Sequence, residues 1–584
     1  MKPNWIVLVG LGVVVSFLAF WFWPASGPEA PPAGEAEAVE TPIHFEDVTS
    51  AAGITFVHHD GATDMHYIQE TIGSGVGWID YDGDGWQDLF CVQGGPVFPD
   101  PTRPRPTSRL YRNRGGNRFV DVTEQVGLDQ PGYGMGCAVG DFDNDGFDDL
   151  VVTYFRGIRL YHNQADGKGG RRFVDITKPA GLDNPHWATS CAWGDIDNDG
   201  WLDLYVCNYV EVDLEHYQPC VHPTLHLRHV CHPRVFPAAR DCLFRNQGNG
   251  TFAEISQSSG ITQVEPQGPG LAVAMLDLDG DGKLDIYVAN DMAPAFLFHN
   301  QGQGKFVEKG VLSGCGLETG GGYLAGMGIA AGDVDDSGRP SLLVTNYQDE
   351  PNYLFLNRGN LVFADATHTS GLGPPSIPFL AFGVVLFDAD LDGALDVAIA
   401  NGHVYRNAEQ IRGAPFKQTA QFFQGSGTGT FQEITSGVGP YFRRRLAGRG
   451  LARADFDRDG RPDLVFSHNG GPLVLLRNTT TSAGNGIQLE LVGDGLKSNR
   501  NAIGAVVEVE AGGKRQVYWV QGGGSYLSAS SRTLLIGLGA TAKAERLRVT
   551  WPSGDKQEFA DLAAGKAYRL FEGRPEPEEI LPAR

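Results

Sequence analysis

Asp80, Asp82, Asp84, Gly85 and Asp88 stand in the order Asp-x-Asp-x-Asp-Gly-x-x-Asp, and six later segments follow the same plan. The second has Asp141, Asp143, Asp145, Gly146 and Asp149. The third has Asp195, Asp197, Asp199, Gly200 and Asp203. The fourth has Asp277, Asp279, Asp281, Gly282 and Asp285. The sixth has Asp388, Asp390, Asp392, Gly393 and Asp396, and the seventh Asp455, Asp457, Asp459, Gly460 and Asp463. The fifth keeps Asp333, Asp335 and Gly338, but Ser337 and Ser341 replace two carboxylates.

Carboxylates on alternate residues of a tight loop converge on one point, and glycine permits the sharp reversal. The donor set is all oxygen, which suits Ca²⁺ better than the small, water-retaining Mg²⁺. Six sites are complete and a seventh, the fifth loop, lacks part of its shell. Four carboxylates in one turn with no metal would repel one another. The six complete loops hold four Asp each and the fifth holds two, so 26 of the 70 acidic residues belong to them. Without those 26 the formal charge of −24 becomes +2, so the acidity lies mostly in the loops. The negative charge argues against nucleic acid as a partner. An EF-hand is excluded, because a strand follows each loop, as in Asp203-Leu-Tyr-Val-Cys-Asn, where an EF-hand has a helix.

The elements that must position these loops repeat with them. A Gly-rich apolar strand precedes each loop, as at 136–140, and a second apolar strand follows. A third carries an aliphatic-aromatic-x-Asn pattern at Asn113, Asn163, Asn246, Asn300 and Asn357. A fourth reads Phe-x-Asp-Val-Thr, as at 119–123. Four strands per repeat predict an all-β fold, a seven-bladed β-propeller. No fourth-strand motif follows Asn478, but one precedes the first loop at 45–49, so the N-terminal strand is expected to complete the last blade. The loops and strands resemble FG-GAP/VCBS repeats, the blade units of integrin α-chain propellers. That resemblance spans residues 43–480 and implies calcium between the first and second strands of each blade.

Residues 485–572 lack the repeat and alternate like strands of a small β-sandwich. The runs 499–504, 523–528, 537–539 and 551–554 look like an ASPIC/UnbV domain, and with the propeller they give an architecture that resembles the bacterial relatives of cartilage acidic protein. Residues 573–584 are expected to form a tail. At the other end, 1–23 read as an N-terminal transmembrane helix or signal segment. The 19 uncharged residues from Trp5 to Trp23 rise about 28 Å as a helix. Residues 24–42 read as a Pro/Ala/Glu-rich linker. A membrane anchor with the bulk outside the cytoplasm, periplasmic or at the cell surface, is expected, with secretion after cleavage as the alternative.

Three connections between second and third strands are long, at 92–109 (with Arg103, Arg105 and Arg109), 209–242 and 401–420 (with His403, Tyr405, Arg406 and Arg412). They emerge on the face opposite the Asp loops, where loops on a rigid frame bind partners. The 209–242 insert holds His216, His222, His226, His229 and His232, which zinc would accept, but a Cys220–Cys231 disulfide fits an oxidising compartment better. Cys137 and Cys191 read as buried thiols. No nucleophile elbow, zinc-protease helix or P-loop occurs. The expectation is a calcium-stabilised, non-catalytic protein that recognises an extracellular protein or glycan. The alternative is a hydrolase or lyase acting on polysaccharide at the channel mouth; a transition-metal or redox role for the 209–242 insert is a third, weaker reading.

Overall fold

The computed structural model describes residues 39–99, 101–102, 105–481 and 483–580. Residues 45–478 form seven antiparallel sheets of four strands in a row, the fourth extended by a short fifth strand at Leu324–Ala325, besides one two-stranded hairpin. In the first sheet, Val76–Ile79, Asp88–Cys91, Arg109–Asn113 and Phe119–Asp121 pair in chain order. The next five sheets repeat that order. The seventh comprises Gly448–Ala454, Asp463–His468 and Val474–Asn478, and its outer strand is Phe45–Asp47 from the other end of the repeat region. The innermost strand of each sheet packs on that of the next, and the last packs on the first. The arrangement is all-β and propeller-like. Its helices are short; Ala408–Arg412, with five residues, is the longest α-helix among the described residues. No described helix is long and apolar enough to cross a membrane. The segment expected to do so lies outside the described residues.

Burial explains the strand compositions. Gly134–Gly140 is buried at every position, so it shows no polar alternation. The outer strand Phe119–Asp121 buries only Phe119. Large rings fill the wedges between sheets. Trp78 stacks on Phe456 with centroids 6.2 Å apart, and Phe142 on Trp193 at 6.5 Å.

The third-strand asparagine is a staple. Asn113 Nδ2 donates to Gln87 O in its own loop (3.1 Å) and to Phe456 O in the neighbouring loop (2.8 Å). Asn163 donates to Tyr81 O, Asn246 to Phe142 O, Asn300 to Ile196 O, Asn357 to Leu278 O and Asn478 to Ala389 O. Each acceptor follows the first Asp of the preceding loop. The sixth sheet has Gly425 at this position, and Gly429 N donates to Val334 O instead (2.8 Å). Buried carbonyls that would otherwise lack donors thus tie every loop to its neighbour.

The C-terminal module consists of two four-stranded sheets. One orders Leu534–Gly539, Asn485–Val492, Lys566–Phe571 and Glu578–Ile580, with its central pair parallel. The other orders Lys514–Trp519, Val506–Ala511, Lys543–Thr550 and Lys556–Ala563. Leu489, Val507, Ile536, Leu547, Val549 and Leu570 share one buried core between them. The strand at Glu578–Ile580 carries the module past residue 572, so the expected tail is in part a sheet edge. Those three residues were too few to show a strand pattern.

Between the two sheets of the module, residues 521–533 leave it and thread the middle of the ring. Trp193 N donates to Gly522 O (3.0 Å), Ile329 N to Ser525 O (3.1 Å), Cys137 N to Leu527 O (3.1 Å) and Trp78 N to Ala529 O (3.0 Å). Ser531 N donates to Arg453 O (2.9 Å), and Val384 N donates to Ser525 Oγ (3.2 Å). Innermost strands of six sheets therefore pair with this segment. Tyr526 and Leu527 are fully buried. Glycine is required at 522, where a Cβ would stand 2.1 Å from Trp193 O.

Candidate metal sites

Each Asp loop is first a hydrogen-bonded turn. Asp80 accepts from Asp84 N (3.1 Å) and Gly85 N (2.9 Å), and the first Asp of all six other loops accepts the same pair. The loop glycine lies in the left-handed region, at φ +82° for Gly85. The last Asp reaches back from the second strand. Asp88 accepts from Tyr81 N (3.3 Å) and from Asn113 N (2.7 Å), which locks the third strand to the loop. The first and last carboxylates therefore hold the turn as well as facing its centre.

Oxygens remain for a cation. Oxygens of Asp80, Asp82 and Asp88 lie within 4.8 Å of one another, as do those of Asp141, Asp143 and Asp149 and of Asp195, Asp197 and Asp199. The Oδ1 atoms of Asp82, Asp197, Asp335 and Asp390 are buried without a hydrogen-bond partner. All four are the second Asp of their loops, and an inward oxygen with no donor is what a metal ligand leaves when only protein is counted. Burial and the neighbouring carboxylates push Asp80 and Asp195 up to about 7, and Asp141 and Asp455 up to about 8. A hard divalent cation offsets that repulsion, so the residues present fit Ca²⁺.

The loops differ in what lies over them. The residue before the third-strand Asn is basic in five sheets. Arg112 reaches Asp82 (2.6 Å) and Asp84 (3.1 Å), Arg245 reaches Asp197 (2.6 Å) and Asp199 (3.2 Å), and Arg477 reaches Asp457 (2.7 Å). In the second and fourth sheets His162 meets Asp143 (2.9 Å) and His299 meets Asp285 (3.1 Å). The sixth loop has only the neutral Gln424, 3.0 Å from Asp390. It keeps four carboxylates with no side-chain cation in this position. The fifth has two loop carboxylates fewer, and Arg358 lies 3.1 Å from Asp335. Arg358 follows the Asn of the fifth sheet, which has Leu356 at x, whereas the five basic residues sit at the x of the aliphatic-aromatic-x-Asn pattern. Their basic character was visible there, but nothing in the spacing aimed them at the loops.

A model of the ASPIC and UnbV family matches residues 495–577. A model of the FG-GAP-like repeat matches 80–152, 141–206, 238–288 and 277–344. Cartilage acidic protein 1 of Xenopus tropicalis is 26% identical over 507 residues, covering 82% of this chain and 70% of that protein. The mouse protein of the same name (Mus musculus) is 26% identical over 286 residues. That match covers 48% of this chain and 37% of the mouse protein, so the chain spans little more than a third of that relative. The chain carries FG-GAP-like repeats and an ASPIC/UnbV domain, with homology to cartilage acidic protein 1. Among solved structures, an Agrocybe aegerita lectin described with non-reducing terminal N-acetylglucosamine aligns at TM-score 0.37 and 16% identity, covering 64% of this chain and 88% of the lectin. BBS1N in complex with ARL6DN aligns at TM-score 0.36 and 10% identity, covering 71% and 95%.

The sixth and seventh loops lie beyond the matched FG-GAP-like repeats, yet they make the same turn bonds and the same staples. The segment threading the ring contains the Gly-Gly-Ser-Tyr-Leu-Ser run of the ASPIC/UnbV domain.

On the face opposite the Asp loops the three long connections of the FG-GAP-like repeats meet. Phe98, Tyr67, Tyr217 and Phe236 form a chain of ring contacts with centroids 5.9, 4.6 and 6.4 Å apart. His229 packs on Tyr405 at 5.5 Å, and Asn407 Nδ2 donates to Arg228 O (2.9 Å). Arg103 lies outside the described residues. Cys220 and Cys231 are joined in a disulfide across a short hairpin, Cys220–Val221 with Arg228–His229. The bond removes both thiols as zinc ligands. Cys137 and Cys191 are buried and free.

Proposed function

We propose that this protein is a non-catalytic, extracytoplasmic binding protein. Its repeat region is a closed seven-bladed propeller stiffened by Ca²⁺ in the Asp loops, and it recognises a protein or glycan on the face opposite them. One observation carries the reading. The connections at 92–109, 209–242 and 401–420, far apart in sequence, join through ring contacts and a hydrogen bond into one platform. Phe98, Val221, Leu225 and Val235 stay exposed on these connections, Phe98 and Val235 each at 60%. Apolar side chains held at the surface of a rigid frame mark contact sites. The N-terminal segment would tether the platform to a membrane.

Calcium serves this reading as a stabiliser, since an ion bound only by the folded chain adds free energy to it. The reading is tested by probing protein and glycan arrays with the calcium-loaded chain. Capture of a ligand by the wild type, lost in a Phe98→Ser/Val235→Ser variant with unchanged melting, supports it. Capture undiminished by that variant rejects the platform.

A polysaccharide hydrolase or lyase has one observation in its favour. Two carboxylates, the buried Asp291 and the half-buried Glu350, line a cavity at the mouth of the ring on the platform side. Turnover of a glycan panel that disappears in Glu350→Gln would establish that reading in place of the first.

A further inference from the structure

The cavity at that mouth has a volume of about 300 Å³. Phe382 and Ile72 line it, and the tip of the threading segment backs them: Tyr526 packs on Phe382 at 4.9 Å, and the Tyr526 hydroxyl donates to Ile72 O (3.0 Å). Tyr209, Tyr347 and Tyr405 line it. Its rim opens at Asp349, which is exposed. Two lining residues, Met292 (φ +59°) and Asp349 (φ +70°), hold left-handed backbone, a conformation that costs free energy in residues other than glycine.

Three of the polar groups lining this space are acceptors with no cation paired to them among the described residues, while Thr71, His232, Arg412 and the tyrosine hydroxyls line it too. Asp291 is buried and accepts from the Tyr209 hydroxyl (2.5 Å). Glu350 accepts from Ala325 N (3.2 Å). Gln348 Oε1 is buried with no partner. Burial pushes Asp291 up to about 6 and Glu350 up to about 7, and Asp291 adds to the rise at Glu350. Two carboxylates thus share the pocket, and among the described residues no cation forms an ion pair with either. The guanidinium of Arg234 moderates Asp291, but it is held by Met292 O (3.0 Å) and lies over the Tyr323 ring. Arg412 also lines the cavity, but it is exposed, lies 5.9 Å from the centroid of the Tyr347 ring and forms no ion pair with either carboxylate. A neutral sugar can donate hydroxyl hydrogens to these carboxylates but brings no charge to offset theirs. An alkylammonium group brings donors only, carries the missing charge and is attracted to aromatic faces.

We propose that this cavity is a binding site for an organic cation, an aliphatic ammonium group inserted among the tyrosines toward Asp291 and Glu350. The inference rests on the platform being the binding face, and it names the chemistry of that partner. The ammonium could belong to a free amine or to a lysine side chain on a protein.

The test is calorimetric titration of the calcium-loaded full-length protein with n-butylammonium, the neutral alcohol 1-pentanol, one methylene longer, and a blocked lysine peptide. Butylammonium is expected to bind, and pentanol to bind at least about tenfold more weakly. Asp291→Asn keeps the acceptor for Tyr209 and is expected to weaken butylammonium by about tenfold with unchanged melting. Glu350→Gln supplies a second readout should the first variant fold poorly. A peptide that binds more tightly than butylammonium assigns the cation to a protein partner, and equal binding assigns it to a free amine. Equal binding of pentanol, or affinity unmoved in both variants, overturns the proposal. If that happens while an array ligand is still lost in Phe98→Ser/Val235→Ser, the cation site fails and the platform stands.

Discussion

The two faces of the ring are built on opposite plans. The Asp-loop face uses one device again and again: a turn, a cluster of carboxylates, and an asparagine that staples it to the next turn. The platform face uses three unlike insertions, a disulfide and a cavity to which several connections contribute. The difference teaches what repetition does for a fold. A repeated device closes a ring from identical joints, and only the face free of that duty can vary to meet a partner. The faces also carry opposite electrostatic stress. Surplus carboxylates crowd the first, whereas buried neutral imidazoles (His58, His403 and His468) lie toward the second.

Removing divalent ions is the most severe test of this division. Each site held at a hundredfold excess over its Kd adds about 2.7 kcal/mol, and several sites act together. Excess chelator is therefore expected to lower Tm further than the loss of any one core side chain, with full recovery on adding Ca²⁺. Scanning calorimetry reads both. A Tm that ignores chelator would leave the Asp loops as plain hydrogen-bonded turns and erase the contrast between the faces.

The threading segment links the two faces, and cutting into it comes next in size. Leu527 is fully buried in the ring, so Leu527→Ala is expected to cost about 2–5 kcal/mol by cavity formation. The same variant should expose the stretch joining ring and module to protease. If melting and cleavage are both unchanged, the ASPIC/UnbV domain is only a neighbour of the ring.

Most of the Asp-loop face was legible in the sequence, and little of the platform was. Fixed spacing placed the carboxylates of each loop on one turn, and the displaced Phe45–Asp47 motif announced the strand that completes the seventh sheet. The Cys220–Cys231 pairing followed from proximity and compartment. The threading segment could not be read, because its partners, Trp78, Cys137, Trp193 and Ile329, lie hundreds of residues away and bond through backbone atoms that leave no side-chain pattern. The cavity was hidden for the same reason: Ile72, Tyr209, Asp291, Glu350 and Tyr405 come from five separate parts of the chain, four connections and the strand Asp285–Ala293. Local pattern reports repeated local geometry, whereas a site assembled from unlike loops has no period to detect.

Acid should strike the platform side. His468 is buried; its Nδ1 lies 2.6 Å from Pro472 O and its Nε2 2.9 Å from the Tyr441 hydroxyl. Burial lowers its pKa to about 4, whereas an unfolded histidine titrates near 6.5. The unfolded state takes up a proton first, so this stability is complete above pH 6.5 and is lost as pH falls toward 4. The loss is about 3 kcal/mol from this residue. His468→Gln has no such titration, and its stability in urea at constant Ca²⁺ should fall less than that of the wild type over the same range. Parallel pH profiles for the two proteins would show that His468 carries no such linkage.

The smallest effect separates two members of the repeated device itself. The sixth loop keeps Asp388, Asp390, Asp392 and Asp396 with only Gln424 over it, whereas the fifth keeps Asp333 and Asp335 with Arg358 against the latter. Net negative charge at the turn sets how strongly a divalent ion is held, so the sixth loop should bind it more tightly than the fifth. Asp390→Asn is expected to remove one bound Ca²⁺ per chain and up to about 2.7 kcal/mol of calcium-dependent stability. Asp335→Asn removes a carboxylate already paired with a guanidinium, and both the stoichiometry and the calcium-dependent Tm should stay as they were. Equilibrium dialysis with ⁴⁵Ca²⁺ and calorimetry of both variants decide the matter. If the two substitutions cost the same, the turn geometry common to all seven loops governs binding, and the residues lying over them do not.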